Sequence, residues 1–171
     1  IIDYMKECKV PPYDETTGKG LVRHVLVREG KATGETMVCL VVNGNSLPQD
    51  DLLISHIKSV VPDVTSIALN ENTRRDNVIM GDRTRNLYGK DAIRDKITLT
   101  NGDTIYFDIS ANSFYQVNHD QMERLYSKAL EYADLHGTES VWDLYCGIGT
   151  ISLSMAKHAG RVIGIEVVPQ A

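Results

Sequence analysis

The apolar positions of the chain change period part-way along. Residues 21–28, LVRHVLVR, alternate apolar and basic side chains, and 36–42, TMVCLVV, is a continuous run rich in β-branched and apolar residues. With the turn composition EGKATGE between them, they predict a β-hairpin with strands near 21–29 and 35–42. Residues 50–60, DDLLISHIKSV, set Leu52, Leu53, Ile57 and Val60 on one helical face behind an acidic start, and Pro62 closes that helix. VTSIALN at 64–70 predicts the next strand, and KITLTNGDTIYFDIS predicts two more around the turn dipeptide Asn101-Gly102. The first 110 residues therefore read as a β-rich α+β module with one clear helix.

From residue 119 the period becomes helical. In HDQMERLYSKALEYADLHG, Met122, Leu125, Tyr126, Ala129, Leu130 and Ala133 share a face, and Gly137 is the predicted C-terminal cap. A strand at 140–145, a helix from about 149 to 158 and a strand at 161–165 follow. That order opens a parallel α/β unit with a right-handed crossover. The expected domains are 1–111 and 112–171, without internal repeats.

Composition narrows the picture modestly. The 171 residues are 42% apolar and 24% charged, an ordinary globular balance with enough chain for a real core. A net charge of −5 gives no global attraction to nucleic acid, so such a partner needs a local patch. One candidate is the stretch from Arg74 to Lys96, where seven basic residues against four acids leave +3, with Tyr88 among them. Arg23, His24 and Arg28 on the first hairpin form a second. Cys8, Cys39 and Cys146 show no CxxC spacing, which points to neither a metal site nor a disulfide framework but to a reduced, cytoplasmic chain. No stretch reaches the ~18 apolar residues of a membrane span, and IIDYMKECK lacks a signal peptide's apolar core. The chain starts without Met and stops at VVPQA, as an excised fragment would.

The chemistry concentrates in VWDLYCGIGTISLSM, residues 141–155. A strand that turns sharply into a helix at the carboxyl edge of an open α/β sheet is where small ligands bind, and Gly147 and Gly149 permit that turn. Glu166, at the end of the next strand, is placed to accept hydrogen bonds from a ribose diol. Dinucleotides and S-adenosylmethionine both use this layout. The dinucleotide fingerprint wants a third glycine where this chain has Ser152, and Asp143 is a poor neighbour for a pyrophosphate but a good one for an amino group and a sulfonium. The electrostatics favour the methyl donor.

The strings DLYCGIGTISLSMA and SANSFYQVN together resemble the RNA uracil-5-methyltransferase family, and GLVRHVLVRE and LYGKDAI are similar to its central domain. The match is nearest to the branch acting on 23S ribosomal RNA. The resemblance implies an α+β central domain followed by the first part of a Rossmann-like α/β class I methyltransferase domain, truncated. It implies S-adenosylmethionine as cofactor, with Gln116, Tyr145 and Glu166 contacting it and Asp143, Gly147 and Gly149 shaping the pocket. Thr150 stands where some members carry Asn and is a further contact. For Gln116 the plain alternative is an amide that caps the helix starting near His119.

By the same resemblance, the cysteine that adds to carbon 6 of uracil and the carboxylate base lie beyond residue 171, so the chain holds no catalytic residue and Cys146 is a packing residue. Ribosomal RNA is then the expected partner ahead of transfer RNA, with neither membrane nor metal. Residues 119–171 are expected to expose apolar faces and to be disordered, swapped or dimerised. The competing readings are a nicotinamide-dinucleotide-binding oxidoreductase fragment and a non-catalytic RNA-binding module.

Overall fold

The computed structural model describes residues 1–168, so the last three positions of the expected second domain lie outside the described residues. The chain forms two compact units. The first comprises residues 1–30 and 34–93, and the second comprises residues 31–33 with the chain from 94 onward.

In the first unit, α1 (Ile2–Glu7) precedes strands β1 (Val22–Glu29) and β2 (Thr36–Val42), helix α2 (Asp50–Val60), and strands β3 (Ser66–Glu71) and β4 (Arg83–Gly89). The strands make one sheet in the order β1-β2-β3-β4. β1 and β2 pair antiparallel as the predicted hairpin, while β2 and β3 run parallel, joined by α2. Six of the seven residues of β2 are buried, consistent with a central strand covered on both faces. Leu40, Val42, Ile67 and Leu69 meet Leu53 and Ile57 of α2 in the core, with Tyr4 of α1 fully buried beside them. Val60, expected on the same helical face, is the last residue of α2 and is 80% exposed.

Two elements escaped the sequence pattern. α1 is only six residues long, and β4 reads RTRNLYG, without two-residue alternation of apolar side chains. β4 is an edge strand paired antiparallel with β3, and its Leu87 and Tyr88 pack against the core. The basic stretch from Arg74 to Lys96 contains a loop, this strand and the start of the second unit. The loop is braced from beneath by two buried amides. Asn70 donates to Gly81 O and to Thr84 Oγ1 (both 2.8 Å) and accepts from Gly81 N (2.7 Å). Asn72 donates to Val78 O (2.7 Å) and Ile79 O (2.9 Å). Arg23, considered above as an RNA contact, has a side chain only 1% exposed and donates to the carbonyls of Asn72 (3.0 Å) and Arg74 (2.6 Å). It supports this loop from inside.

The second unit contains β5 (Ile93–Thr98) from its second residue on, then β6 (Thr104–Ile109), α3 (His119–Ala133), β7 (Ser140–Asp143), α4 (Thr150–Ala156) and β8 (Arg161–Gly164). β5 and β6 form a two-stranded sheet turning through Asn101-Gly102, as expected, and β7 and β8 form a second, parallel one. The compact units divide near residue 93, earlier than the expected boundary at 111, because the β5–β6 hairpin is tied to α3. Glu123 accepts from Thr98 N (2.7 Å), Ser127 from Thr100 N (3.0 Å), and His119 Nε2 lies 2.9 Å from Lys96 O.

α3 ends at Ala133 on a left-handed Asp134 (φ 46°), three residues before the glycine expected to cap it, since Asp is one of the few side chains that tolerate this conformation. Its buried face is narrower than its apolar pattern: Met122 and Tyr126 are buried while Leu125 is 60% exposed. Trp142, Leu144, Tyr145 and Val167 are exposed as well, the apolar surface expected of this half. No helix among the described residues is long and apolar enough to cross a membrane.

Replacing Asn70 by Ala strands the Gly81 amide and carbonyl in a buried setting, a loss of about 1–3 kcal/mol. Denaturant unfolding should show this as a lower midpoint; an unchanged midpoint would mean the loop is not braced from β3.

Candidate functional site

The parallel pair β7–β8 is short, four residues on each side, but backbone hydrogen bonds extend it into the glycine loop. Ile165 N donates to Asp143 O (2.8 Å), and Cys146 N donates back to Ile165 O (3.1 Å). The chain then turns at Gly147 (φ 54°) and Gly149 (φ 81°) into α4, with Gly149 as its N-cap in the left-handed region. A side chain at Gly149 would meet nothing within 4 Å, so the requirement there is conformational rather than steric.

Gly164 on β8 lies where a side chain would crowd the loop. A Cβ there would stand 3.0 Å from Cys146 Sγ and 3.4 Å from Ser152 Oγ. In the dinucleotide fingerprint a third glycine on the helix permits close helix–strand packing. Here Ser152 occupies that place and the close approach is granted from the strand side, by Gly164. The Ser152 hydroxyl is thereby free to donate to Asp143 Oδ2 at 2.8 Å, fixing the carboxylate at the end of β7. Cys146 packs against Gly164, in keeping with a small packing residue.

The expected site residues fall into two groups. Gln116, Asp143, Tyr145, Gly147 and Thr150 line one cavity of about 160 Å³ in the second unit, together with Phe114, Tyr115, Tyr126, Cys146, Ile148 and Ile151. Gln116 is exposed and Tyr145 is 89% exposed. Gln116 does not cap α3; Asn118 does, its side chain accepting from Gln121 N at 3.2 Å. Thr150 is 8% exposed, and its hydroxyl is 3.0 Å from the Tyr126 hydroxyl, so it joins α4 to α3. Tyr126 was read from sequence only as part of an apolar face, because a phenol on a helix gives no local sign of the hydroxyl it will meet.

Gly149 and Glu166 are not among the lining residues. Glu166 instead gathers the loop: Oε2 accepts from Gly147 N (3.0 Å), and Oε1 from Val167 N (2.8 Å) and Val168 N (2.9 Å). These amides, Val168 first and then Gly147, hold its pKa below the ordinary 4.5. A carboxylate has about four acceptor sites, so roughly one remains for a ligand hydroxyl in this arrangement. Among the described residues no group of three His, Cys, Asp or Glu side chains is arranged to hold a metal ion.

A profile of the tRNA (uracil-5-)-methyltransferase family matches residues 66–170. The chain belongs to the tRNA (uracil-5-)-methyltransferase family. Among curated proteins it is 50% identical to an uncharacterized RNA methyltransferase of Staphylococcus aureus (strain MRSA252), over 98% of this chain and 36% of that protein. An uncharacterized RNA methyltransferase of Halalkalibacterium halodurans is also 50% identical, over 97% of this chain and 35% of its own. The chain thus spans about a third of these relatives. Among solved structures, the Pyrococcus abyssi tRNA (uracil-54, C5)-methyltransferase in complex with S-adenosyl-L-homocysteine superposes with a TM-score of 0.75 at 29% identity, covering 97% of this chain and 38% of that one. Membership in the uracil-5-methyltransferase family accords with the resemblance carried by FYQVN and the glycine loop.

Two measurements test the loop geometry. Because the folded pKa of Glu166 is depressed, its contribution is present above 4.5 and is lost as pH falls through the lower folded value. The amide resonances of Gly147, Val167 and Val168 should therefore titrate together with a midpoint below 4.5; a midpoint at 4.5 or higher would break the proposed clasp. Gly164→Ala should displace the loop through Cys146 and destabilise the fold by about 1–3 kcal/mol, as overpacking does.

Proposed function

We propose that the chain carries the methyl-donor-binding part of an RNA uracil-5-methyltransferase, with S-adenosylmethionine as donor and carbon 5 of a uridine as acceptor. The observation that carries this reading is the single cavity lined both by Gln116 of FYQVN and by Asp143, Tyr145 and Gly147 of the glycine loop. The donor set suits a cationic ligand. Asp143, held by Ser152, offers a fixed carboxylate toward an ammonium or sulfonium, and Gln116 offers both an acceptor and a donor. Tyr145 presents an exposed ring, and Glu166 retains acceptor capacity for one ribose hydroxyl after holding the loop. S-adenosylmethionine would supply the electrophilic methyl group, and these side chains would orient it.

In this reading the nucleophile and base are not among the residues of this chain. Cys39 is fully buried and its pKa is pushed up to about 11 by burial, which makes it inert. Cys146 serves the loop. In this reading the chain alone is inactive, and transfer belongs to the longer protein. An oxidoreductase reading would need a pyrophosphate beside Asp143, which the fixed carboxylate opposes. Within the first unit, the braced loop following β3, with Arg74 and Arg75, is the RNA-facing element we favour. The motif resemblance points to 23S ribosomal RNA.

For the full-length protein, S-adenosylhomocysteine should raise the melting temperature and NAD should not; the reverse result overturns the donor assignment. Methyl transfer to 23S ribosomal RNA and to transfer RNA transcripts, run side by side, decides the acceptor. Gln116→Ala should weaken S-adenosylhomocysteine binding by about tenfold, the equivalent of one hydrogen-bonded contact, as read by calorimetry.

A further inference from the structure

The segment that delivers Gln116 to the cavity has no regular structure of its own, lying between β6 and α3. Its ends are tied by hydrogen bonds between the Ser110 and Ser113 hydroxyls (2.8 Å) and by the Asn118 cap. Between them, Phe114 is 75% exposed and Gln116 is exposed, while Tyr115 is half-buried. Tyr115 lays its ring against Phe107 at 5.2 Å and donates its hydroxyl to Asp95 Oδ2 at 2.9 Å.

Asp95 is fully buried on β5. Its second oxygen accepts from Ala32 N at 3.0 Å, and His119 Nε2 lies 3.8 Å away on the first residue of α3. Burial, and then the bond to Asp95, raises the pKa of the Tyr115 phenol well above its ordinary 10, so it remains a donor across the working pH range. An acid buried in this way is costly unless it fixes something, and an apolar pair would hold the segment without giving it a direction. What the carboxyl fixes is the half-buried side chain between two exposed residues, and all three line the cavity.

We propose that Asp95, acting through Tyr115, is the positioning residue that sets Gln116 and Phe114 against the bound methyl donor. This rests on the donor-site reading given under Proposed function. Neither residue need touch the donor's reacting atoms: Asp95 acts on Tyr115, and Tyr115 sets the register of the peptide on either side.

The test uses the full-length protein, with S-adenosylhomocysteine affinity by calorimetry and separate KM values for donor and RNA. Tyr115→Phe keeps the ring against Phe107 and removes only the hydroxyl. It should weaken S-adenosylhomocysteine about five- to tenfold and raise the donor KM alike, with the RNA KM unchanged. Asp95→Asn keeps one acceptor oxygen and should show a smaller loss in the same two readings. Ser127→Ala strands the Thr100 amide in the same unit and serves as the stability control; it should lower the melting temperature without changing donor affinity. Wild-type affinity in both Tyr115→Phe and Asp95→Asn overturns the inference, as does an equal loss of donor affinity in Ser127→Ala. A wild-type protein that does not bind S-adenosylhomocysteine instead overturns the donor-site reading, and this inference falls with it.

Discussion

The arrangement around the glycine loop depends on one short piece of backbone pairing. β7 and β8 share only four residue pairs, but the ladder continues beyond them through Ile165 N to Asp143 O and Cys146 N to Ile165 O. Glu166 then collects the Gly147 amide from across the loop. Each bond fixes something chemical: the first places Asp143 at the end of its strand, the second holds the thiol of Cys146 inward, and the third sets the entry to Gly149 and α4. Since the pair is parallel, a helical crossover must return the chain to the same end of the sheet, and α4 meets both strands and α3.

Both units combine buried apolar side chains with polar ties to the backbone. The first has a conventional apolar core, with β2 buried along almost its whole length and α2 laid against it. Its irregular parts are then bound to that core by amides and a guanidinium, through Asn70, Asn72 and Arg23. The second unit buries Ile97, Leu99, Phe107, Ile109 and Met122 and likewise has polar ties between side chain and backbone: Glu123 to Thr98, Ser127 to Thr100, Asp95 to Ala32. Much of its apolar surface stays in solvent, Trp142 and Val167 included. Polar ties of this kind are directional, and they suit loops that must hold a shape beside a cavity rather than fill a core.

Pattern reading succeeded where the period of side chains and the period of the backbone agree. The first hairpin, α2 and the turn at Asn101-Gly102 all fall where alternation, helical spacing and turn chemistry put them. It missed β4, because an edge strand can carry Arg, Thr and Asn on its open side and set only Leu87 and Tyr88 against the core, too few for an alternating pattern. It placed the cap of α3 at Gly137, since glycine is the usual left-handed residue, and could not foresee that Asp134 would take the conformation. Its domain boundary came from the change of period, whereas the hairpin β5–β6 belongs with α3 through contacts from Glu123, Ser127 and His119 that no local window contains.

For the site, the sequence by itself determined the chemical inventory and its order: a carboxylate, a glycine turn and an amide-bearing FYQVN string, which carried the family. These are local, since a strand–turn–helix needs its glycines at fixed positions and a motif is read residue by residue. Only the tertiary structure decided which of those groups share a cavity. It joined Gln116 to Asp143 across 27 positions of chain, turned the Thr150 hydroxyl toward Tyr126, spent most of Glu166 on the loop, and moved the tolerance for close packing from a third glycine to Gly164. Such outcomes depend on distances between segments remote in sequence, and those distances exist only once the chain has folded.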